Sequence, residues 1–344
     1  HHHLLLDGWS AGILYKELFA IYKAEKEGRK LHLHRQRPYQ EYIAWLQKKD
    51  LSRAETFWRR TLQGFSSPTQ LSLPAPAPGE ASEEETHADL HAFLPESTTS
   101  ALRALARRHH ITLNTIVQGA WAILLSRYCG EHDVVFGITS SGRPAELGGV
   151  EDMVGLFINT LPMRARINDE QNVAAWLEEL QKEQLEARQY EYTPLVEVQG
   201  WSEVPRGTAL FDSILVFENY PIERAAREAP AQSEVIDAHF FERVHYPLCL
   251  LASPGSTLSL RLSYDRRRFG SEAMDRLLQH YRELLEGIVQ RPEARLGELE
   301  MLTSREHEQV VEEWNATQRD YGETRCVHEL FEEQARRHPH RTAV

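Results

Sequence analysis

The sequence predicts an α/β fold, a mixed sheet covered by helices, and three observations carry that expectation. Past residue 90, segments with helical apolar spacing alternate with short β-rich runs. The helical segments have start and stop residues at their ends, such as Thr112 before one and Gly130 after it. The chain is also large enough, at 344 residues and 41% hydrophobic, to hold two domains and bury a sizeable core.

Taken in order, Leu4, Leu5 and Leu6 read as core residues. Residues 11–27 put Leu14, Leu18, Ile21 and Tyr22 on one helical face, and Gly28 follows as a stop. Residues 39–49 form a second helix. Ser52 and Glu55 make an S-x-x-E capping box for a third, with Phe57, Trp58 and Leu62 on its apolar side. From 64 to 85 the character changes: Pro68, Pro74, Pro76 and Pro78 with an acidic run mark a connecting segment or exposed crossover. Residues 95–109 are helical, and Thr112 caps a long apolar helix through Tyr128 that Gly130 ends. Residues 133–139, 156–167, 213–217, 244–252 and 257–264 read as strands, and 173–188 and 271–290 as amphipathic helices. A charged helix covers 304–314, and 327–337 begins another with Leu330 and Phe331, as at the start of a further domain.

A net charge of −12 argues against nucleic acid or an anionic membrane as the main partner. Arg107-Arg108 and Arg266-Arg267-Arg268 are short basic runs that read as solvated faces. No apolar stretch approaches the ~20 residues of a membrane span. Cys129, Cys249 and Cys326 are widely separated and form no C-x-x-C pair, which fits a reducing cytosol, so a cytoplasmic location is expected. His32 and His34 have no Cys or carboxylate cluster to complete a metal-ligand set, and no glycine-rich phosphate loop is present, so no metal is expected. The chain starts inside a motif and stops in mid-pattern, which predicts a piece of a longer polypeptide.

Its first residues carry the chemistry. His2-His3-x-x-x-Asp7-Gly8 reads as a catalytic loop, because histidine, with a pKa of ~6.5, is the side chain best suited to moving protons near neutrality. Asp7 can return to the loop and hold it, and Gly8 admits backbone angles closed to residues with a Cβ. The residues alone leave a tag remnant open, although tags usually run into Gly/Ser spacers rather than three leucines.

Six further stretches follow. They are Tyr39-Gln40-Glu41-Tyr42-Ile43-Ala44-Trp45, Phe57-Trp58, Val135-Phe136-Gly137 through Ser141-Gly142-Arg143-Pro144, and Val154-Gly155-Leu156-Phe157-Ile158-Asn159-Thr160-Leu161-Pro162. Then come Gln189-Tyr190-Glu191-Tyr192-Thr193-Pro194-Leu195 and Leu210-Phe211-Asp212-Ser213 with Val216-Phe217-Glu218-Asn219. Together with His2-His3-Leu4-Leu5-Leu6-Asp7-Gly8-Trp9-Ser10 they resemble, in order, the condensation domain of nonribosomal peptide synthetases. Trp314-Asn315-Ala316-Thr317 and His328-Glu329-Leu330-Phe331 resemble the approach to an adenylation domain.

The resemblance implies a two-lobed fold like chloramphenicol acetyltransferase, with the first lobe largely truncated and the second nearly complete. On that expectation residues 1–65 are the end of the first lobe, 66–88 a connector, 89–300 the second lobe, 301–326 a linker and 327–344 the start of adenylation. It implies amide-bond formation between a donor thioester and an acceptor amine. Both would be held by 4′-phosphopantetheine arms on upstream and downstream peptidyl carrier domains, with no cofactor bound by the domain itself. His3 is then the catalytic residue, as general base or in a positioning role, and His2 supports the loop. Asp7 is braced by an arginine, for which Arg143 is the candidate, and Gly8 lends a backbone N–H to the tunnel wall. Asn159 either lines the tunnel or is a structural amide, and Trp58 is a core aromatic. An epimerization domain of the same fold is the rival reading, disfavoured by Gly8-Trp9-Ser10. Heterocyclization domains carry aspartates in place of the paired histidines, and a free-standing acyltransferase would not run into a tail like 301–344. A truncated, inert interaction piece is the non-enzymatic reading, and by itself the chain is expected not to turn over.

Overall fold

The computed structural model describes residues 4–74, 76, 86–218, 245–319 and 326–342. His2 and His3 lie outside these, as do most of the Pro-rich acidic segment and Asn219. The chain forms two compact units, His1–Met301 and Leu302–Val344.

The first unit opens with α1 (Gly8–Lys26), α2 (Gln40–Leu46) and α3 (Leu51–Leu62). The cap of α3 is Asp50, whose carboxylate accepts from Ser52 N at 2.9 Å. Ser52 is therefore inside the helix, and the S-x-x-E box expected there does not form: an aspartate two residues earlier satisfies the free amide first. The apolar side of α3 is as expected, with Phe57, Trp58 and Leu62 buried.

In α1 the expected face does not bury. Leu14, Leu18, Ile21 and Tyr22 are 40–56% exposed, and Leu4 and Leu5 more so. The helix is held by its first turn, where Ser10, Ala11 and Gly12 are buried, and beyond that turn only Ala24 is. Small residues made that contact, so apolar periodicity pointed to the wrong side.

Six strands form one mixed sheet in the order β1-β6-β5-β4-β2-β3. These are β1 (His87–Leu94), β2 (Asp133–Ser140), β3 (Asn159–Arg166), β4 (Ser213–Phe217), β5 (Leu248–Pro254) and β6 (Leu258–Asp265). Parallel pairing joins β2 to β4 and β4 to β5, and the remaining pairs are antiparallel. β1 is an edge strand with no clear signal in the sequence. Its HADLHAFL run is poor in β-formers, and pairing with β6 along its whole length supplies what propensity does not.

Helices α4 (Glu96–Arg108), α5 (Leu113–Cys129), α6 (Val173–Arg188) and α8 (Ser271–Gln290) build the main core with the sheet; α7 (Leu195–Trp201) lies between α6 and β4 in sequence. Thr112 caps α5 by accepting from Thr115 N, and Gly130 ends it in the left-handed region at φ 69°. Every residue from Thr115 to Ser126 is buried, which is why this helix is apolar all round rather than striped. A second cluster joins α3 and α7 to β2, β3, β4 and β5 through Trp58, Phe57, Val198 and Ile214. The connector is not wholly outside the core. Thr69 bridges to Phe211, its hydroxyl accepts from Val135 N at 2.8 Å, and Leu71 and Leu73 pack on the main cluster.

The second unit carries α9 (Ser304–Glu308), continued by the wider turns of Gln309–Glu313, and α10 (Val327–Arg337). A Thr303/Glu306 capping box starts α9, and none of the residues in these helices is buried.

Candidate active site

Asp7 stands at the N-cap of α1 and is 1% exposed. Its Oδ1 accepts from Ser10 N at 2.7 Å, and its Oδ2 from Phe157 N at 3.0 Å. Its own backbone N–H donates to Gly155 O at 3.2 Å. Ser10, fully buried, exchanges hydrogen bonds with the same glycine, donating to Gly155 O at 2.8 Å and accepting from Gly155 N at 3.1 Å. The start of α1 is thus laced to residues 155–157, nearly 150 positions away.

Arg143 closes the arrangement. Its Nη2 donates to Ser10 Oγ at 3.0 Å and lies 3.4 Å from Asp7 Oδ1, and its Nη1 donates to the carbonyls of Val150 and Met153. The guanidinium sits 3.9 Å from the centre of the Phe157 ring, with the Trp9 ring at 5.5 Å. Burial pulls its pKa below the ordinary arginine value, and the Asp7 carboxylate opposes that pull. Arginine stays protonated regardless, so this is a buried ion pair.

The loop that brings Arg143 in depends on Gly142, at φ 62°, where an added Cβ would lie 1.7 Å from Phe157 O. Left-handed backbone and a backbone collision together exclude any other residue. Gly142→Ala is expected to displace Arg143 from Asp7, costing at least the 1–3 kcal/mol of a strained backbone position. A lowered thermal midpoint checks this, and an unchanged one counts against it.

Behind the loop, Tyr39 and Tyr42 pack on Phe157 at ring distances of 5.0 and 4.6 Å. The Tyr39 hydroxyl donates to Leu156 O, and its ring fills the space that a Cβ on Gly155 would need. Burial pushes the Tyr42 phenol up to about 12. Arg37 donates to Gly148 O, and Lys49 pairs with Glu146 at 2.7 Å, so α2 and its flanks grip the 143–157 loop from outside.

The structure brings together Asp7 and Arg143 of the expected set. Gly8 is the first residue of α1, outside the positive-φ region, so the special backbone expected of it is not used. Asn159 donates both amide hydrogens to backbone, to Glu191 O at 2.9 Å and Thr193 O at 2.7 Å, which is the structural-amide reading. Trp58 is fully buried in the second cluster. Sequence reasoning gave no role to Ser10, Gly155 or Tyr39. For Ser10 a signal existed: Asp7-x-x-Ser10 has the spacing from a helix cap to its third residue. Beside this lock lies a cleft of about 580 Å³, lined among others by Trp9, Asn114, Ser140, Arg143, Arg188 and Glu191.

The condensation-domain family model matches residues 1–311, and the chain belongs to that family. It is 46% identical over 343 residues to one of the linear gramicidin synthase proteins of Brevibacillus parabrevis, covering 100% of this chain and 7% of that protein. It is 36% identical to bacitracin synthase 3 of Bacillus licheniformis over 348 residues, covering 100% of this chain and 5% of that one. The chain therefore spans a small part of these relatives. Among solved structures, a four domain nonribosomal peptide synthetase bound to AMP and glycine matches 89% of this chain and 24% of its own at a TM-score of 0.71 and 19% identity. The first condensation domain of the calcium-dependent antibiotic synthetase matches 88% of this chain and 66% of its own at 0.69 and 16%. At these identities the structures bear on fold, and they place the six-stranded mixed sheet among condensation domains.

Proposed function

We propose that this chain is the amide-forming condensation domain of a multidomain peptide synthetase. The observation that carries the reading is the buried Asp7–Arg143–Ser10 lock, which fixes the end of the HHxxxDG loop beside an open cleft. Each piece has a role. His3, four positions before Asp7, takes a proton from the attacking amine or positions it, and His2 supports the loop. The cleft holds the reacting ends of two carrier-borne arms, so that a bimolecular step becomes a local one. Positioning of this kind requires a rigid wall, and Arg143 anchors it on four partners: Asp7, Ser10, Val150 and Met153.

The 4′-phosphopantetheine arms belong to upstream and downstream carrier domains, and the domain itself supplies side chains only. Residues 1–65 complete a first lobe, 66–88 connect, 89–300 form the second lobe, 301–326 link, and 327–344 open an adenylation domain. A cytoplasmic site of action fits biosynthetic relatives and a chain in which no described helix is long and apolar enough to cross a membrane.

The test is single-turnover transfer in the full-length protein with a donor loaded on one carrier and an aminoacyl group on the next. Amide product on the downstream carrier is expected. Inversion of the aminoacyl stereocentre with no amide would instead favour an epimerization domain.

A further inference from the structure

Among the described residues that line the 580 Å³ cleft, Glu191 carries the one carboxylate. Its position is held at three points. Its backbone N–H donates to Arg188 O at 3.3 Å, its carbonyl accepts from Asn159 Nδ2 at 2.9 Å, and its Oε2 accepts from the Ser140 hydroxyl. No hydrogen bond or ion pair from a described residue reaches Oε1. The two cations on the cleft do not answer it: Arg143 is engaged by Asp7, and Arg188 is exposed. A positioned carboxylate with an open acceptor oxygen on the cleft can take a charge-assisted hydrogen bond from a cationic donor, the stronger kind. Asn114, on the same cleft, adds a buried Oδ1 that no described residue satisfies.

We infer that Glu191 binds the α-ammonium group of the acceptor aminoacyl thioester, selecting amine over hydroxyl acceptors. This rests on the condensation reading above. The bound ammonium gives up one proton to the base, and its nitrogen then forms the C–N bond at the donor carbonyl. The donor C–S bond breaks, and the second proton leaves the nitrogen for the departing thiolate. Glu191 takes no proton in this step, and its part is to bring the nitrogen in.

The experiment uses the full-length protein with a donor-loaded carrier. The acceptor is a soluble aminoacyl-N-acetylcysteamine thioester, and the matching 2-hydroxyacyl thioester serves as competitor. Glu191→Gln keeps the Ser140 contact and removes the charge. The KM for the amine is expected to rise on the order of 10- to 100-fold, the range for one hydrogen bond to a charged group. The inhibition constant of the hydroxyacyl thioester and the thermal midpoint should stay put. Glu191→Asp, still charged, should recover part of the loss. An unchanged KM overturns the inference, and so does an equal rise for both ligands, which marks a merely structural residue. Absence of amide product from the unaltered protein would overturn the functional reading itself, and this inference with it.

Discussion

In the full-length protein, alanine at His3 is expected to lower single-turnover amide formation by roughly 10²- to 10⁴-fold, the usual contribution of a positioned acid–base group. The expectation rests on the segment that follows it. Asp7 is bonded to Ser10, Phe157 and Gly155 and paired with Arg143, so the chain leaving the histidines enters a fixed anchor. A histidine leading into such an anchor can be held in one place, and general catalysis needs that constancy. Thermal unfolding of His3→Ala, measured beside the rate, separates a loss of chemistry from a loss of fold. The pH profile separates the two roles left to His3. A general base acts as neutral imidazole, so the rate should climb with pH and level off once the imidazole has lost its proton. A residue that only orients substrate as neutral or charged imidazole alike gives no such limb. Undiminished product from a folded variant would remove His3 from the mechanism.

The parts of the fold that announce themselves in sequence are those whose local chemistry and tertiary role agree. Thr112 and Gly130 mark the ends of α5 because capping is decided within a few residues of each terminus. The spans of α6, α8 and α10 follow from apolar spacing for the same reason. β1 was not legible, since His, Ala and Asp make a strand there only by adding to the edge of β6. Leu195–Trp201 gave no signal either, being a seven-residue helix after Pro194 with no side-chain cap to mark it. The apolar side of α1 misled, because the contact that orients the helix is made by Ser10, Ala11 and Gly12.

The site divides in a similar way. Asp7 and Arg143 are 136 positions apart, and nothing in either segment alone says that they meet; only the shared order of motifs pointed to the pair. Ser10 was nearer to hand, as the third residue after a helix cap. Gly155 acts through its backbone N–H and C=O, and Phe157 bonds Asp7 through its backbone N–H, groups that every residue carries, so no side-chain pattern marks these bonds. Tyr39 acts by filling the space next to a glycine, a relation visible only once the two are packed.

Removing either member of the Asp7–Arg143 pair is expected to destabilise the first unit by roughly 3–5 kcal/mol, because the partner stays behind as an uncompensated buried charge. At ~2–4 °C per kcal/mol for a unit of this size, the midpoint should fall by roughly 10 °C. The two losses differ in kind. Asp7→Ala removes the cap of α1 and the acceptor for Phe157 N as well as a charge. Arg143→Ala takes from Met153 O the donor that Arg143 supplies, and removes one donor each from Val150 O and the Ser10 hydroxyl, which keep their bonds to Met153 N and Gly155. In a double-mutant cycle the combined variant should therefore lose less than the sum of the singles, since it leaves neither charge behind. Strict additivity would mean that the 3.4 Å approach carries no energy. Arg143→Lys should fail to restore stability, because an ammonium cannot reach two carbonyls and a hydroxyl–carboxylate pair from opposite ends of a planar fork. Nor should exchanging the two residues rescue the fold. An arginine at position 7 cannot accept from Ser10 N or Phe157 N, and an aspartate at 143 cannot donate to Val150 and Met153. The lock is polar in direction as well as in charge, and full recovery by the exchanged pair would show that charge alone was holding the loop.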